Sequence, residues 1–186
     1  MDHYEAWRSG KVARMHTAPQ LHRENIAEHT WGVLLAVIRY YPQASAVFLK
    51  QVIVHDAGEK ATGDMPGNVK WANPIMGETV EAMEKDHVDQ IVKLPPLTRR
   101  ESMLLEIFDR LDFCVSCIHE MRLGNVNSAL YFGRSFDKAV KIMLSYDIDD
   151  VHDMEFRNIA GRFVDEVSNL RATYLTHIPH GEFHER

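Results

Sequence analysis

Residues 52–66, VIVHDAGEKATGDMP, open as a β-branched apolar run and turn sharply polar within a few positions. They set down His55, Asp56, Glu59 and Asp64 in close succession. A His-Asp pair at the end of a buried element, with more carboxylates after it, has the donor chemistry of a divalent metal site. The dipeptide itself decides little. Eleven histidines in 186 residues give roughly one His-Asp pair by chance, and a second stands at His152-Asp153. What surrounds each pair has to separate them.

Upstream, Ser45 can cap a helix over 45–57 with Val47, Phe48, Val52 and Ile53 on its buried side, which puts His55 and Asp56 at its C-terminal end. Downstream, Gly58, Gly63, Pro66 and Gly67 predict a loop with at most one short turn. The rest of the chain reads as helix almost throughout. A short helix over 4–9 stops at Gly10, and 11–23 is irregular around Pro19. Asn25 and Glu28 form a capping box for a helix carrying Ile26, Val33, Leu34, Val37 and Ile38, which ends at Tyr41-Pro42. Asn73-Pro74 opens the next, with a stripe of Met76, Val80, Met83, His87, Val88 and Ile91 before Pro95-Pro96. Thr98 and Glu101 box a long helix reaching 123 before Gly124, with Leu104, Ile107, Phe108, Leu111, Val115 and Ile118 inward. Two more follow over 128–146 and 153–174, the last with Phe156, Ile159, Phe163, Val167 and Leu170 at helical spacing. No strand or hairpin pattern is visible. The expected fold is all-α, a compact single-domain bundle of about seven helices spanning 1–186.

Composition is that of an ordinary globular protein, with 45% hydrophobic and 26% charged residues. A net charge of -6 argues against a general nucleic-acid partner but leaves room for a small anionic substrate, because a metal ion reverses the field locally. The longest apolar run, 33–38, is too short for a membrane span, and the opening MDHYEAWRSGK is no secretory signal; the expectation is a cytoplasmic protein with no membrane partner. Cys114 and Cys117 form a lone C-x-x-C without a second pair, and inside a helical pattern they read as buried free thiols.

Ionisable side chains that interrupt apolar helix faces are costly to bury unless paired or bound to metal. His29 falls between Ile26 and Val33, and Asp109 follows Phe108 on the long helix. With His55 and Asp56 they supply two imidazoles and two carboxylates, a set suited to a borderline transition ion. Each has an ordinary alternative: His29 as a satisfied core histidine, Asp109 as a partner of Arg110, Arg100 or a helix end. His87 reads as structural. His152-Asp153 follows a run of acids at a helix start, where carboxylates cap and offset the dipole. His177, His180 and His184 fall in a polar tail.

The ordered set His29, His55-Asp56, Asp109 resembles the HD-domain metal-dependent phosphohydrolases. RENIAEHTWGV, HDAGEKATGDMPGNVK and EIFDRLD are similar to segments of the small YfbR-like 5′-deoxynucleotidases and of phage relatives that hydrolyse deoxynucleoside triphosphates. The resemblance runs over about 14–125. It implies His29, His55, Asp56 and Asp109 as ligands of one divalent transition metal ion (Co, Mn, Zn, Ni or Fe). It implies Glu59 as the catalytic carboxylate, with Asp64 as a second acidic residue lining the pocket. Arg14 and Lys70 would meet the nucleotide and its phosphate, and Met15 stands where the family commonly has tryptophan beside the sugar. The implied activity is removal of the 5′-phosphate from 2′-deoxynucleoside monophosphates by a homo-oligomer, a dimer or higher. The alternatives are a triphosphohydrolase releasing tripolyphosphate from substrates such as dATP, and a nucleotide-binding helical domain without turnover. No G-Y-P motif supports a cyclic-dinucleotide or alarmone hydrolase.

Overall fold

Side-chain caps decide where most helices begin. In the computed structural model, which describes residues 1–149 and 153–176, eight α-helices follow one another. They are α1 His3–Arg8, α2 Ile26–Tyr40, α3 Ala46–Val54, α4 Gly67–Ala72, α5 Pro74–Ile91, α6 Arg99–Arg122, α7 Ser128–Asp149 and α8 Met154–Thr176. Asn25 with Glu28 and Thr98 with Glu101 form complete capping boxes, and Ser45 and Asn73 cap α3 and α5. Gly124 closes α6 at φ +107, a conformation glycine adopts without strain. Among the described residues no strand forms; Ala13 and Asn25 make one isolated antiparallel bridge.

The seven expected helices are present, and α4 is additional. Its segment, rich in glycine and proline upstream, carries too short a pattern to register as a helix. The expected end of α3 also moves: the helix stops at Val54, His55 caps it, and a 3-10 turn follows over Ala57–Lys60. Three expected inward faces need correction. Val47 and Ile53 on α3, Ile38 on α2, and Met76 and Met83 on α5 point outward, while Phe48, Val52, Val37, Gly77 and Val80 are buried. An adjacent apolar pair blurs a helical stripe by one position. The inward line of α5 continues through the half-buried Glu84 rather than Met83, a carboxylate that apolar periodicity does not flag.

α6 forms the central pillar, burying Leu104, Ile107, Phe108, Leu111, Cys114, Cys117 and Ile118 against α2, α7 and α8. Cys114 and Cys117 are free buried thiols, and burial pushes the Cys114 thiol up to about 12. No helix among the described residues is long and apolar enough to cross a membrane.

The irregular 11–25 segment is held by polar clamps. Arg14 N–H donates to Glu24 O at 3.0 Å, and Glu120 accepts from Leu21 N and His22 N at 2.9 and 2.6 Å. Asn125 Nδ2 donates both to Glu120 and to Pro19 O. The segment thereby lies fixed along α6, with Arg14 aimed at the end of α3.

Candidate metal centre and active site

Three helices bring four donors together. α2 carries His29, fully buried; the C-terminal end of α3 carries His55 and Asp56; α6 carries Asp109. One ligand atom from each lies within 4.8 Å of all the others. Asp109 finds neither Arg110, which pairs with Glu106, nor Arg100, which pairs with Asp153 and Glu155.

The imidazoles are oriented by what holds their other nitrogen. His55 Nδ1 lies 2.7 Å from Val52 O, which can only accept, so Nδ1 carries a proton and Nε2 is turned toward the other donors. His29 Nδ1 donates to Asp112 Oδ2 at 2.8 Å. The two Nε2 atoms converge at 3.3 Å, and His29 Nε2 sits 3.0 Å from Asp109 Oδ1. Burial by itself would depress His29, yet its hydrogen bonds to Asp109 and Asp112 push the imidazole up to about 9. Desolvation likewise works against the Asp109 carboxylate, but His29 and Arg14 hold its carboxyl well below the usual range. Nε2 of His29 thus holds a proton in the place where a divalent cation would sit. Two Nε2 atoms and two carboxylates converging on one point, with both Nδ1–H groups anchored, have the donor chemistry that could hold a transition metal ion.

Asp112 reaches His29 only because α2 has glycine opposite it. A Cβ at Gly32 would lie 2.1 Å from Asp112 Oδ1. Glycine in a helix interior costs about 1 kcal/mol relative to alanine, so close approach is what this position gains.

Around the four donors stand the other expected residues. Arg14 pairs with Asp56, lies 3.7 Å from Asp109 Oδ1 and reaches within 3.6 Å of Glu24. Glu59 carries a buried Oε2 with no hydrogen-bond partner, and burial together with Asp56 and Asp64 pushes its carboxyl well above the ordinary range. Asp64 accepts from the backbone N–H of Met15, which adopts φ 51, an uncommon conformation for a non-glycine residue. Lys70 is held by Glu84, whose Oε1 lies 3.1 Å from its Nζ and also accepts from Thr62. His87 meets Ser9 Oγ at 3.3 Å and lies outside the four-donor cluster. Asp153 caps α8, while His152, His177, His180 and His184 lie outside the described residues.

Three residues of this neighbourhood escaped sequence reasoning. Asp112 lies four positions after Phe108 on the buried face of α6, so the criterion that picks out Asp109 would also have found it. Glu84 lies four after Val80 by the same logic. Glu24 sits in an irregular segment with no period to betray it.

Against known proteins, the family model of the YfbR-like 5′-deoxynucleotidases matches residues 8–157. A 5′-deoxynucleotidase of Enterobacter sp. strain 638 is 25% identical over 150 residues, covering 68% of this chain and 75% of that protein. One from Photorhabdus laumondii is 25% identical over 126 residues, and the match spans 55% of this chain but 64% of the relative's length. Among solved structures, the cyanophage S-2L HD phosphohydrolase DatZ, bound to dA and one catalytic Zn2+ ion, superposes with a TM-score of 0.63 at 18% identity, covering 91% of this chain and 98% of that one. An HD-domain phosphohydrolase from Listeria innocua superposes with a TM-score of 0.54 at 14% identity, over 93% and 95% of the two chains. The fold is that of the HD phosphohydrolases, and the chain belongs to the YfbR-like 5′-deoxynucleotidase family.

Proposed function

We propose that the protein removes the 5′-phosphate from 2′-deoxynucleoside monophosphates, giving deoxynucleoside and phosphate, with His29, His55, Asp56 and Asp109 holding one divalent transition metal. The observation that carries this reading is the convergence of two oriented imidazole nitrogens and two carboxylates beside a buried, unpartnered Glu59 oxygen. When bound, the cation supplies charge neutralisation and Lewis acidity at a phosphate oxygen. Burial beside Asp56 and Asp64 makes the Glu59 carboxylate a stronger base than usual, and in its deprotonated form it takes the proton of the attacking water at Oε2. Arg14 steadies the phosphoryl charge from the side of Asp56. Asp64, fixed by Met15 N–H, lines the sugar end, where it holds a sugar hydroxyl or protonates the leaving 5′ oxygen.

The charge balance favours a monophosphate over a triphosphate. Arg14 is already opposed by Asp56 and Asp109, and Lys70 by Glu84, so these two cations carry little unopposed charge for a triphosphate. The deciding experiment incubates the protein with Mn or Co and each dNMP and dNTP. Phosphate from monophosphates is expected; tripolyphosphate from triphosphates, with monophosphates untouched, overturns the reading. Retained nucleotide binding with no turnover of either series would instead make the domain a binding module. A homo-oligomer belongs to the same proposal, and a single sedimenting species of 21.4 kDa would refute it.

A further inference from the structure

Behind Arg14, between the 15–24 segment and the α6–α7 corner, lies a cavity of about 280 Å³. Phe113, Cys117 and Tyr131 give it an apolar and aromatic lining, Met15 stands at one end, and Glu24 and Ser116 supply a polar edge. We propose that this cavity takes the nucleobase of the deoxynucleotide, with the N–H donors of an amino-bearing purine meeting the Glu24 carboxylate. The assignment rests on the nucleotidase reading and adds to it the part of the molecule that chooses the base.

Position is the first reason. Phe113 lies one helical turn from Asp109, about 6 Å along the axis of α6, and Glu120, also in the lining, lies about 16 Å away. Asp109 and Phe113, four positions apart, share one face of α6, so a base bound there lies along the helix face that carries the Asp109 donor. Met15 joins the two regions, since its backbone N–H is bound by Asp64 while its residue lines the cavity. Arg14 joins them again, pairing with Asp56 on one side and lying 3.6 Å from Glu24 on the other.

Chemistry is the second. A small-ligand site is mostly apolar with a few placed polar groups, and its volume commonly starts near 300 Å³. This cavity is of that kind and holds a base rather than a whole nucleotide. Glu24 accepts from the Ser116 hydroxyl with one oxygen; its other oxygen is too far from Arg14 Nε for a good hydrogen bond and keeps acceptor capacity. A carboxylate there repels a phosphate and attracts N–H donors, which fixes the orientation: phosphate at the metal, base at Glu24. Adenine and guanine bring an amino group to that edge, whereas thymine has a single ring N–H.

Rigidity is the third. Glu120 and Asn125 pin Leu21, His22 and Pro19 over α6, so the cavity is built before ligand arrives.

The test compares dAMP, dGMP and dTMP with deoxyribose 5-phosphate, which has no base. Purine monophosphates should exceed the baseless substrate in kcat/KM by about tenfold or more. Ser116→Phe, which fills the cavity, should remove most of that advantage while deoxyribose 5-phosphate stays within about twofold. Glu24→Gln should narrow the purine preference in the same sense, and the baseless substrate controls for any effect through Arg14. Equal changes on purine and baseless substrates in both variants overturn the assignment. If the unaltered protein hydrolyses no monophosphate, the nucleotidase reading fails on its own. Calorimetry of deoxyadenosine binding then decides the cavity: binding lost in Ser116→Phe supports it, and binding retained or absent from the unaltered protein refutes it.

Discussion

At the end of α3, Asp56 faces two imidazole nitrogens, His29 Nε2 at 3.6 Å and His55 Nε2 at 3.5 Å, and pairs with the Arg14 guanidinium. At the start of α8, Asp153 accepts from Phe156 N at 2.8 Å, Arg100 Nε at 2.9 Å and Tyr146 Oη at 3.1 Å. Both aspartates follow a histidine. One sits where side chains of three helices converge on a point at which a cation can replace a proton; the other has its lone pairs filled by donors of its own fold. The difference teaches that a ligand carboxylate is recognised by the donors it lacks, and that a capping carboxylate is one whose donors are all supplied by its own fold.

The sharpest way to break this contrast is to remove each side. Asp56→Ala should abolish activity and metal binding, and Glu59→Ala should lower kcat by about 10²- to 10⁴-fold while metal and nucleotide still bind. Metal content by mass spectrometry and phosphate release separate the two effects. Unchanged hydrolysis in Glu59→Ala would remove it from the mechanism.

A smaller effect is expected one shell out. Asp112→Ala frees His29 Nδ1 and should weaken metal affinity by about 10- to 100-fold, with little change in kcat at saturating metal. Gly32→Ala should move in the same direction, because its new methyl displaces the Asp112 carboxylate. If metal affinity stays put in both variants, the Asp112–His29 bond is structural and the four donors organise themselves.

Proton competition comes next. His29 is held up to about 9 by Asp109 and Asp112, so a cation at Nε2 must displace a proton at neutral pH. Apparent metal affinity should therefore rise with pH by about tenfold per unit, levelling off near pH 9. The sign for stability is opposite in the metal-free protein. A pKa raised above the ordinary imidazole value of 6.5 gives stability that is complete below that pH and disappears as pH rises through about 9. Calorimetric titrations across this window, and melts with and without metal, check both. A flat affinity profile would mean that Nε2 carries no proton to displace.

Most of this frame was legible from residue types and spacing. Asn25 with Glu28, Thr98 with Glu101 and Asn73-Pro74 announce helix starts through local hydrogen bonds, which need no tertiary knowledge. His29 and Asp109 stand out because a titratable group on an apolar stripe needs a reason. What the chain hides is pairing across elements. Nothing local says that Arg14 answers Asp56, that Glu24 edges a cavity, or that Lys70 turns to Glu84. Ile53 and Met83 mislead for a related cause: two apolar neighbours satisfy a helical stripe equally well, and only the partner helix selects one.

The smallest predicted effect concerns Asp153. Asp153→Ala removes the α8 cap and its pair with Arg100, so it should cost about 0.5–2 kcal/mol of stability. For a domain of this size that is a fall in Tm of roughly 2–4 °C per kcal/mol, read by thermal melts, with phosphate release and metal content unchanged. Its dependence on pH identifies the cause. Desolvation works against this carboxylate, but Phe156 N–H and Arg100 lower its pKa below 3.8. Stability drawn from a depressed carboxyl is present above 3.8 and disappears as pH falls through the folded value, so variant and parent should converge in acid. If Asp153→Ala instead lowered metal affinity, the contrast between donor-filled and donor-poor aspartates would fail, and both His-Asp pairs would have to be read as parts of one site.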